Sequence, residues 1–147
     1  MENRVTVKSV KNNRDLKKFI YLPLKIYEDD SVWVPPMWSS EYKEYRDGKN
    51  AVLAHSDYQL FLAYLDGKTV GRIIVYIDYN FNKFYETQTG FFGAFESIND
   101  PDVAKSLLQK AETWLAEKGM ISVRGPIDPV AEKWGFVSEG FEKDQIF

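Results

Sequence analysis

The sequence predicts an α/β (α+β) domain in which helices flank a mixed central sheet, and three stretches carry that prediction. From Gly90 the chain reads Gly-Phe-Phe-Gly-Ala-Phe-Glu, passes through Ser-Ile-Asn-Asp-Pro-Asp, and enters an amphipathic run ending at Gly119. That is a strand, a loop and a helix. Asp100 is a good N-cap, Pro101 suits the first helical position, and Asp102 puts negative charge on the first turn. Val103, Ala104, Leu107, Leu108, Ala111, Trp114 and Leu115 recur at three- and four-residue spacing, which defines one buried stripe. The second stretch is a hairpin from Tyr58 to Tyr79, with Asp66-Gly67 as its two-residue turn. Its second strand is apolar on both faces at Ile73 to Ile77, which predicts a central position in a covered sheet. The third is Ile121 to Arg124, a short strand closed by Gly125-Pro126. Strand, helix and strand make a crossover unit, so the strands at Gly90 and Ile121 should be parallel neighbours.

A chain of 147 residues predicts one domain, spanning 1–147, with no repeat or linker. Aromatic content of 16% is high and leaves two readings, a core packed with rings or a groove lined by them. Net charge is −3 and the basic residues are scattered, which argues against a nucleic-acid partner. With no cysteine and one histidine, the sequence predicts no thiolate nucleophile and no metal site. No run approaches the ~18 apolar residues of a membrane span, and the first residues hold no signal core. The expectation is a cytoplasmic protein without a membrane partner.

The remaining elements follow in order. Arg4 to Val10 alternates and reads as a first strand. Asn12-Asn13 marks a helix start, and Leu16, Phe19, Ile20, Leu24 and Tyr27 keep a helical period. Pro23 either kinks this helix or the helix stops near Leu22. Trp33-Val34-Pro35-Pro36-Met37-Trp38 is extended, because each residue before a proline is pushed out of the helical region. It reads as a loop pinned to the body by two Trp side chains, or as an aromatic wall beside a substrate. Ser39 or Ser40 is the expected cap of a second helix that stops at Asp47-Gly48. Asn80 to Lys83 reads as a loop, Pro129 to Trp134 as a short helix, and Gly135 to Ser138 and Phe141 to Phe147 as terminal strands.

This order of elements resembles the GNAT (N-acetyltransferase-like) superfamily over essentially the whole chain. Local phrases carry it further: Asp66-Gly67-Lys68-Thr69-Val70-Gly71-Arg72, the stretch after Gly90, and Glu132-Lys133-Trp134-Gly135-Phe136. Gly90 to Glu96, Arg124-Gly125-Pro126 and Glu139-Gly140-Phe141 resemble the N-terminal part of a group of larger GNAT-like proteins. The resemblance implies a GNAT-like, acyl-CoA N-acyltransferase fold, in a form truncated relative to those longer proteins. It implies an acetyl/acyl transfer from acetyl-CoA or another acyl-CoA to the amine of a small molecule. The pantetheine arm would lie along the fourth strand where it parts from the fifth, at Phe92, Ala94 and Phe95. The pyrophosphate would lie at the start of the next helix, at Val103, Ala104 and Lys105.

Against the family's Gln/Arg-x-x-Gly-x-Gly/Ala loop, this chain has Asn99 for Gln/Arg and Asp102 for Gly, and only Ala104 fits. Pro101 removes a donor, and two carboxylates would face an anionic ligand. Ala131 stands where the family places a tyrosine general acid. Glu96, at the end of the central strand, is the first candidate for the base, and its other reading is a surface carboxylate. His55 is the second, on the strength of its ordinary pKa. Those departures support the alternative, a non-catalytic GNAT-like interaction module that has lost acetyl-CoA binding. The tail Gln145-Ile146-Phe147 could pair across a homodimer.

Overall fold

A computed structural model describes residues 4–46, 49–129 and 135. The elements run β1 (Val5–Ser9), α1 (Asn13–Ile26), α2 (Trp38–Tyr45), β2 (Ser56–Leu65), β3 (Lys68–Asp78), α3 (Tyr79–Tyr85), β4 (Thr89–Ser97), α4 (Pro101–Glu117) and β5 (Ser122–Arg124). The strands form one sheet in chain order. The first four are antiparallel neighbours, and β4 and β5 run parallel. The sheet is therefore mixed, as the crossover around α4 requires. At the hairpin turn, Asp66 and Gly67 both have positive φ (51° and 76°), the backbone that Asp-Gly accepts most readily.

The sheet has a core on each face. On one side α4 lays Val103, Leu107, Ala111 and Leu115 against Val5, Phe61, Ile73, Val75 and Ile77. On the other, Phe19, Ile20, Tyr45 and Leu53 meet Leu60, Leu62, Ile74, Tyr76 and Phe91. β3 alternates between the two and is buried from Val70 to Ile77, because both of its faces are covered.

The structure decides the open points of the N-terminal half. α1 begins where Asn12 accepts from the Asp15 amide, and it continues through Pro23 to Ile26. Pro23 has no N–H to offer the Phe19 carbonyl, and Arg72 of β3 donates to that oxygen instead (Nη1, 2.8 Å). Leu24 is exposed and Leu22 is buried, so the buried stripe runs one step to the side of the predicted one. α2 starts at Trp38 after Met37, with no side-chain cap, and both serines lie within its first turn. Asn80 to Lys83 belongs to α3 rather than to a loop, because Asp78 caps the amides of Asn80 and Phe81. The predicted stop at Asp47-Gly48, the short helix at Pro129 to Trp134, Ala131, and the tail Gln145 to Phe147 fall wholly or largely outside the described residues.

Candidate functional site

β4 keeps a regular register with β3 from Phe91 to Gly93 and is irregular beyond it. Its register with β3 shifts between Arg72 and Ile74, and Ala94 takes a left-handed φ of 48°. β5 pairs only with Thr89, Gly90 and Phe91. From Phe92 onward β4 has parted from β5. A strand that bulges and loses its neighbour presents backbone donors and acceptors sideways, where an extended ligand can use them.

Past the bulge, Glu96 stands opposite Arg72 in register. Its carboxylate accepts from the Tyr27 hydroxyl (2.6 Å), at the C-terminal end of α1. Burial, then the Glu96 contact, push the Tyr27 phenol well above its usual range, so it stays a donor. Trp33 stacks on Tyr27 (centroids 5.2 Å apart, 21° between planes), and Trp38 lies against both Trp33 and Tyr21. The Trp33–Trp38 segment is thus pinned to α1, and the pin also walls the Tyr27–Glu96 pair. Arg72 is buried, donating through Nε to the Ala94 carbonyl (2.9 Å) and through Nη1 to the Phe19 carbonyl. It ties the bulge to α1 and holds a positive charge beside Glu96.

The backbone that β5 leaves is taken up by the chain itself. After β5, the chain leaves register at Gly125-Pro126 and then runs on along β4 in the same direction, as a strap from Gly125 to Pro129. The Ile127 amide donates to the Phe92 carbonyl (2.8 Å), and the Asp128 carboxylate accepts from the Ala94 amide. Tyr76 donates to the Ile127 carbonyl (2.9 Å), and buried Asn50 donates to the Pro129 carbonyl (3.1 Å). Two glycines permit the approach. A Cβ at Gly93 would stand 2.4 Å from the Ile127 carbonyl oxygen, and one at Gly125 would stand 2.6 Å from the Phe92 oxygen. Close to this strap lies the Tyr45 hydroxyl, buried and without a hydrogen-bond partner among the described residues. Burial, then the charge of Asp128, raise its pKa well above the usual value.

The helix start predicted to hold phosphate is also occupied. Pro101 has no amide, Asp102 donates to its neighbour Asp100 (Oδ1, 2.9 Å), and the Val103 and Ala104 amides bond the Asp100 carbonyl. Val103 is fully buried and Lys105 is exposed. Arg4 reaches across from the start of β1 to Asp100 and Asp102 (3.4 and 3.7 Å), an exposed cation that offsets part of their charge. The residues of this helix start do not fit a pyrophosphate in the usual way, since Pro101 has no amide and the next three are all bonded to Asp100.

Of the eight predicted site residues, Phe92, Ala94, Phe95 and Glu96 come together on β4, and Val103, Ala104 and Lys105 follow on α4. His55 does not join them. Its Nε2 pairs with Asp78 (3.1 Å), six positions along β3 from Arg72, which is about 20 Å of strand. The sequence reading missed Tyr27, Arg72 and Asp128. Arg72 had a signal, a charge inside an apolar central strand; Asp128 had none, because its role depends on how the chain resumes along β4 past Gly125-Pro126. A cleft of about 600 Å³ opens elsewhere, between the start of α1, α2 and the first residues of β2, and no predicted site residue lines it. Among the described residues no cluster of three metal-ligating side chains occurs, and no helix is long and apolar enough to cross a membrane.

This sheet, with its bulged fourth strand and crossover helix, is the GNAT acetyltransferase fold. An aminoglycoside acetyltransferase from an uncultured soil metagenomic sample, solved with sisomicin, superposes with a TM-score of 0.57 at 20% identity. The match covers 86% of this chain and 79% of that one. A GNAT-family acetyltransferase from Staphylococcus aureus gives 0.58 at 16% identity, covering 85% and 74%. AAC(6')-Iy in complex with the bisubstrate analogue CoA-S-monomethyl-acetylneamine gives 0.58 at 16% identity, covering 85% and 80%. No family model matches the chain.

In sequence, the chain is similar to protein YghO of Escherichia coli, 36% identical over 137 residues, covering 92% of this chain and 35% of that protein. It is also similar to the bacterial ceramide synthase of Caulobacter vibrioides, 32% identical over 140 residues, covering 94% and 36%. The chain spans about a third of the length of these curated relatives.

Proposed function

We propose that the chain is a GNAT-type N-acyltransferase module that moves an acyl group from an acyl-CoA to the amine of a small molecule. The observation that carries this is Glu96, a carboxylate just past the β4 bulge, oriented by the Tyr27 hydroxyl at 2.6 Å. A group there serves as the base that an ammonium acceptor needs before its nitrogen can attack. The acyl-CoA supplies an activated thioester. Glu96 takes one proton from the ammonium, the freed nitrogen bonds the acyl carbon as the carbon–sulfur bond breaks, and the nitrogen's second proton goes, directly or through water, to the departing thiolate, which leaves as CoA-SH. Tyr27 holds the carboxylate in place.

The acceptor is inferred to carry an apolar body. Tyr21 and Leu24 on α1, and Val34 and Met37 on the adjoining loop, are all exposed, and that loop is pinned beside Glu96 by Trp33. The relative named a ceramide synthase agrees, since a ceramide is an amide of a long-chain amine. The test is to incubate the protein with acetyl- or palmitoyl-CoA and a panel of amines, long-chain amino alcohols included. Free thiol is then followed and the amide identified by mass. Glu96→Gln should reduce turnover by roughly 10²-fold or more. Equal turnover in Glu96→Gln and wild type would remove Glu96 from the chemistry.

The occupied β4 backbone and the acidic start of α4 favour a second reading, a GNAT-like interaction module without acetyl-CoA binding. In that case no CoA ester changes the protein's thermal stability, even at high micromolar concentration.

A further inference from the structure

We infer that the strap Gly125–Pro129 is a displaceable occupant of the acyl-donor slot: it holds the β4 backbone by the contacts a pantetheine arm would make, and the donor binds only by lifting it. The inference rests on the acyl-CoA reading above and deepens it by naming how that site is controlled.

Pantetheine is an extended chain carrying two amides, so it binds a strand as another strand would, giving N–H to a carbonyl and taking an N–H on an acceptor. Along the splayed part of β4, the two groups facing the gap are the Phe92 carbonyl and the Ala94 amide. The strap supplies one partner for each, the Ile127 amide at 2.8 Å and the Asp128 carboxylate. Gly93 confirms that there is no room for both, since even a methyl group there would meet the Ile127 carbonyl at 2.4 Å. Strap and donor exclude each other.

Other contacts make the strap a built element rather than a passing loop. Tyr76 on β3 and Asn50 before β2 reach the Ile127 and Pro129 carbonyls from two further directions. Asn50 is itself fixed, accepting from the amides of Val52 and Leu53 and donating to Glu44. The closed arrangement is nevertheless incomplete. The Tyr45 hydroxyl lies buried near Asp128 with no hydrogen-bond partner among the described residues, and it gains one if lifting the strap admits water or a ligand. A closed state held by several bonds, with one buried donor unsatisfied, suits an equilibrium that a ligand can shift. The apparent affinity for the donor is then lowered by the fraction of molecules in which the strap is open.

The experiment reads the strap directly. Amide hydrogen exchange is measured by NMR on the full chain, with and without saturating acetyl-CoA. The Ile127 amide should exchange roughly tenfold faster in the bound protein, although ligands usually slow exchange. Unchanged or slower exchange at Ile127 in a protein that demonstrably binds acetyl-CoA overturns the strap and leaves the acyltransferase reading standing. In parallel, Asp128→Ala should bind acetyl-CoA roughly tenfold more tightly than wild type. Asp128→Asn keeps an oxygen for the Ala94 amide and should stay within about threefold of wild type. An Asn variant that gains as much as the Ala variant assigns the effect to charge and overturns the strap. Tyr76→Phe keeps the ring against Phe91, loses only the bond to Ile127, and should shift affinity the same way by less. If no acetyl-CoA binds to wild type or to any of these variants, the acyltransferase reading falls and the strap with it.

Discussion

Pro23 leaves the Phe19 carbonyl without its helical donor, and the guanidinium of Arg72 fills that place while also holding the Ala94 carbonyl at the bulge. Three features of one side of the sheet, the intact α1, the bulge and the Glu96 position, therefore depend on a single buried cation. Arg72→Met keeps much of the volume but strands two buried carbonyls, and it should lower stability by roughly 3 kcal/mol in urea titrations. Arg72→Lys should recover part of that, since an ammonium supplies charge without the planar fork. A loss below about 1 kcal/mol for the Met variant would mean the carbonyls find other partners.

Tyr45 gives the opposite expectation. Its hydroxyl is buried and unpartnered among the described residues, so Tyr45→Phe should be neutral or stabilising by up to about 1 kcal/mol near pH 7. The same residue bears on alkaline stability. Tyr27, Tyr45 and Tyr76 are all raised above the ordinary tyrosine value of 10.0, in each case by burial first. The unfolded chain therefore releases these protons before the folded one does. Their contribution is fully present below about pH 10 and is lost as pH rises from there toward the folded values. Urea midpoints should hold steady up to about pH 9.5 and then decline, with a shallower decline in Tyr45→Phe. An unaltered slope in that variant would contradict the buried placement of Tyr45.

At the scale of elements, α4 is the clearest case of sequence specifying structure. Asp100, Pro101 and Gly119 mark its ends, and Val103, Leu107, Ala111 and Leu115 form its buried stripe, as periodicity alone predicts. It sits close against the sheet because Gly90 has no side chain; a Cβ there would lie 2.2 Å from the Leu115 side chain. Gly90→Ala should cost about 1–3 kcal/mol in stability by forcing α4 outward. The capped start of α4 is a separate matter. If CoA phosphates approach it, Asp102→Gly should tighten acetyl-CoA binding, because a like charge is removed and the backbone becomes accessible. Unchanged affinity by calorimetry would put the phosphates elsewhere. α3 escaped the sequence reading because its cap, Asp78, belongs to the preceding strand, and seven residues give too short a period to detect.

For the whole molecule, the β2–β3 hairpin, the parallel β4–β5 pair and the helices flanking a mixed sheet were legible, because each follows from local patterns and one handedness rule, whereas the β1–β2 and β3–β4 pairings came only with the structure. The site was only half legible. Glu96 could be placed from its position at a strand end, whereas Tyr27 and Arg72 meet it from 69 and 24 positions away in sequence, and Asp128 reaches Ala94 from 34. Long-range juxtaposition leaves no local period, and the strap depends on the chain regaining β4 after leaving register at Gly125-Pro126, which one sequence does not announce. His55 looked apt by its titration range alone; distance along β3 separates it from the rest.

The central claim is that this GNAT fold remains an acyl-CoA site, held closed by its own strap. The most direct test is calorimetric titration of acetyl-CoA at low salt into wild type and Asp128→Ala, side by side. The account predicts measurable binding that is roughly tenfold tighter in the variant. Equal affinities would contradict the strap, and no heat in either protein at high micromolar ligand would contradict the acyl-CoA site itself.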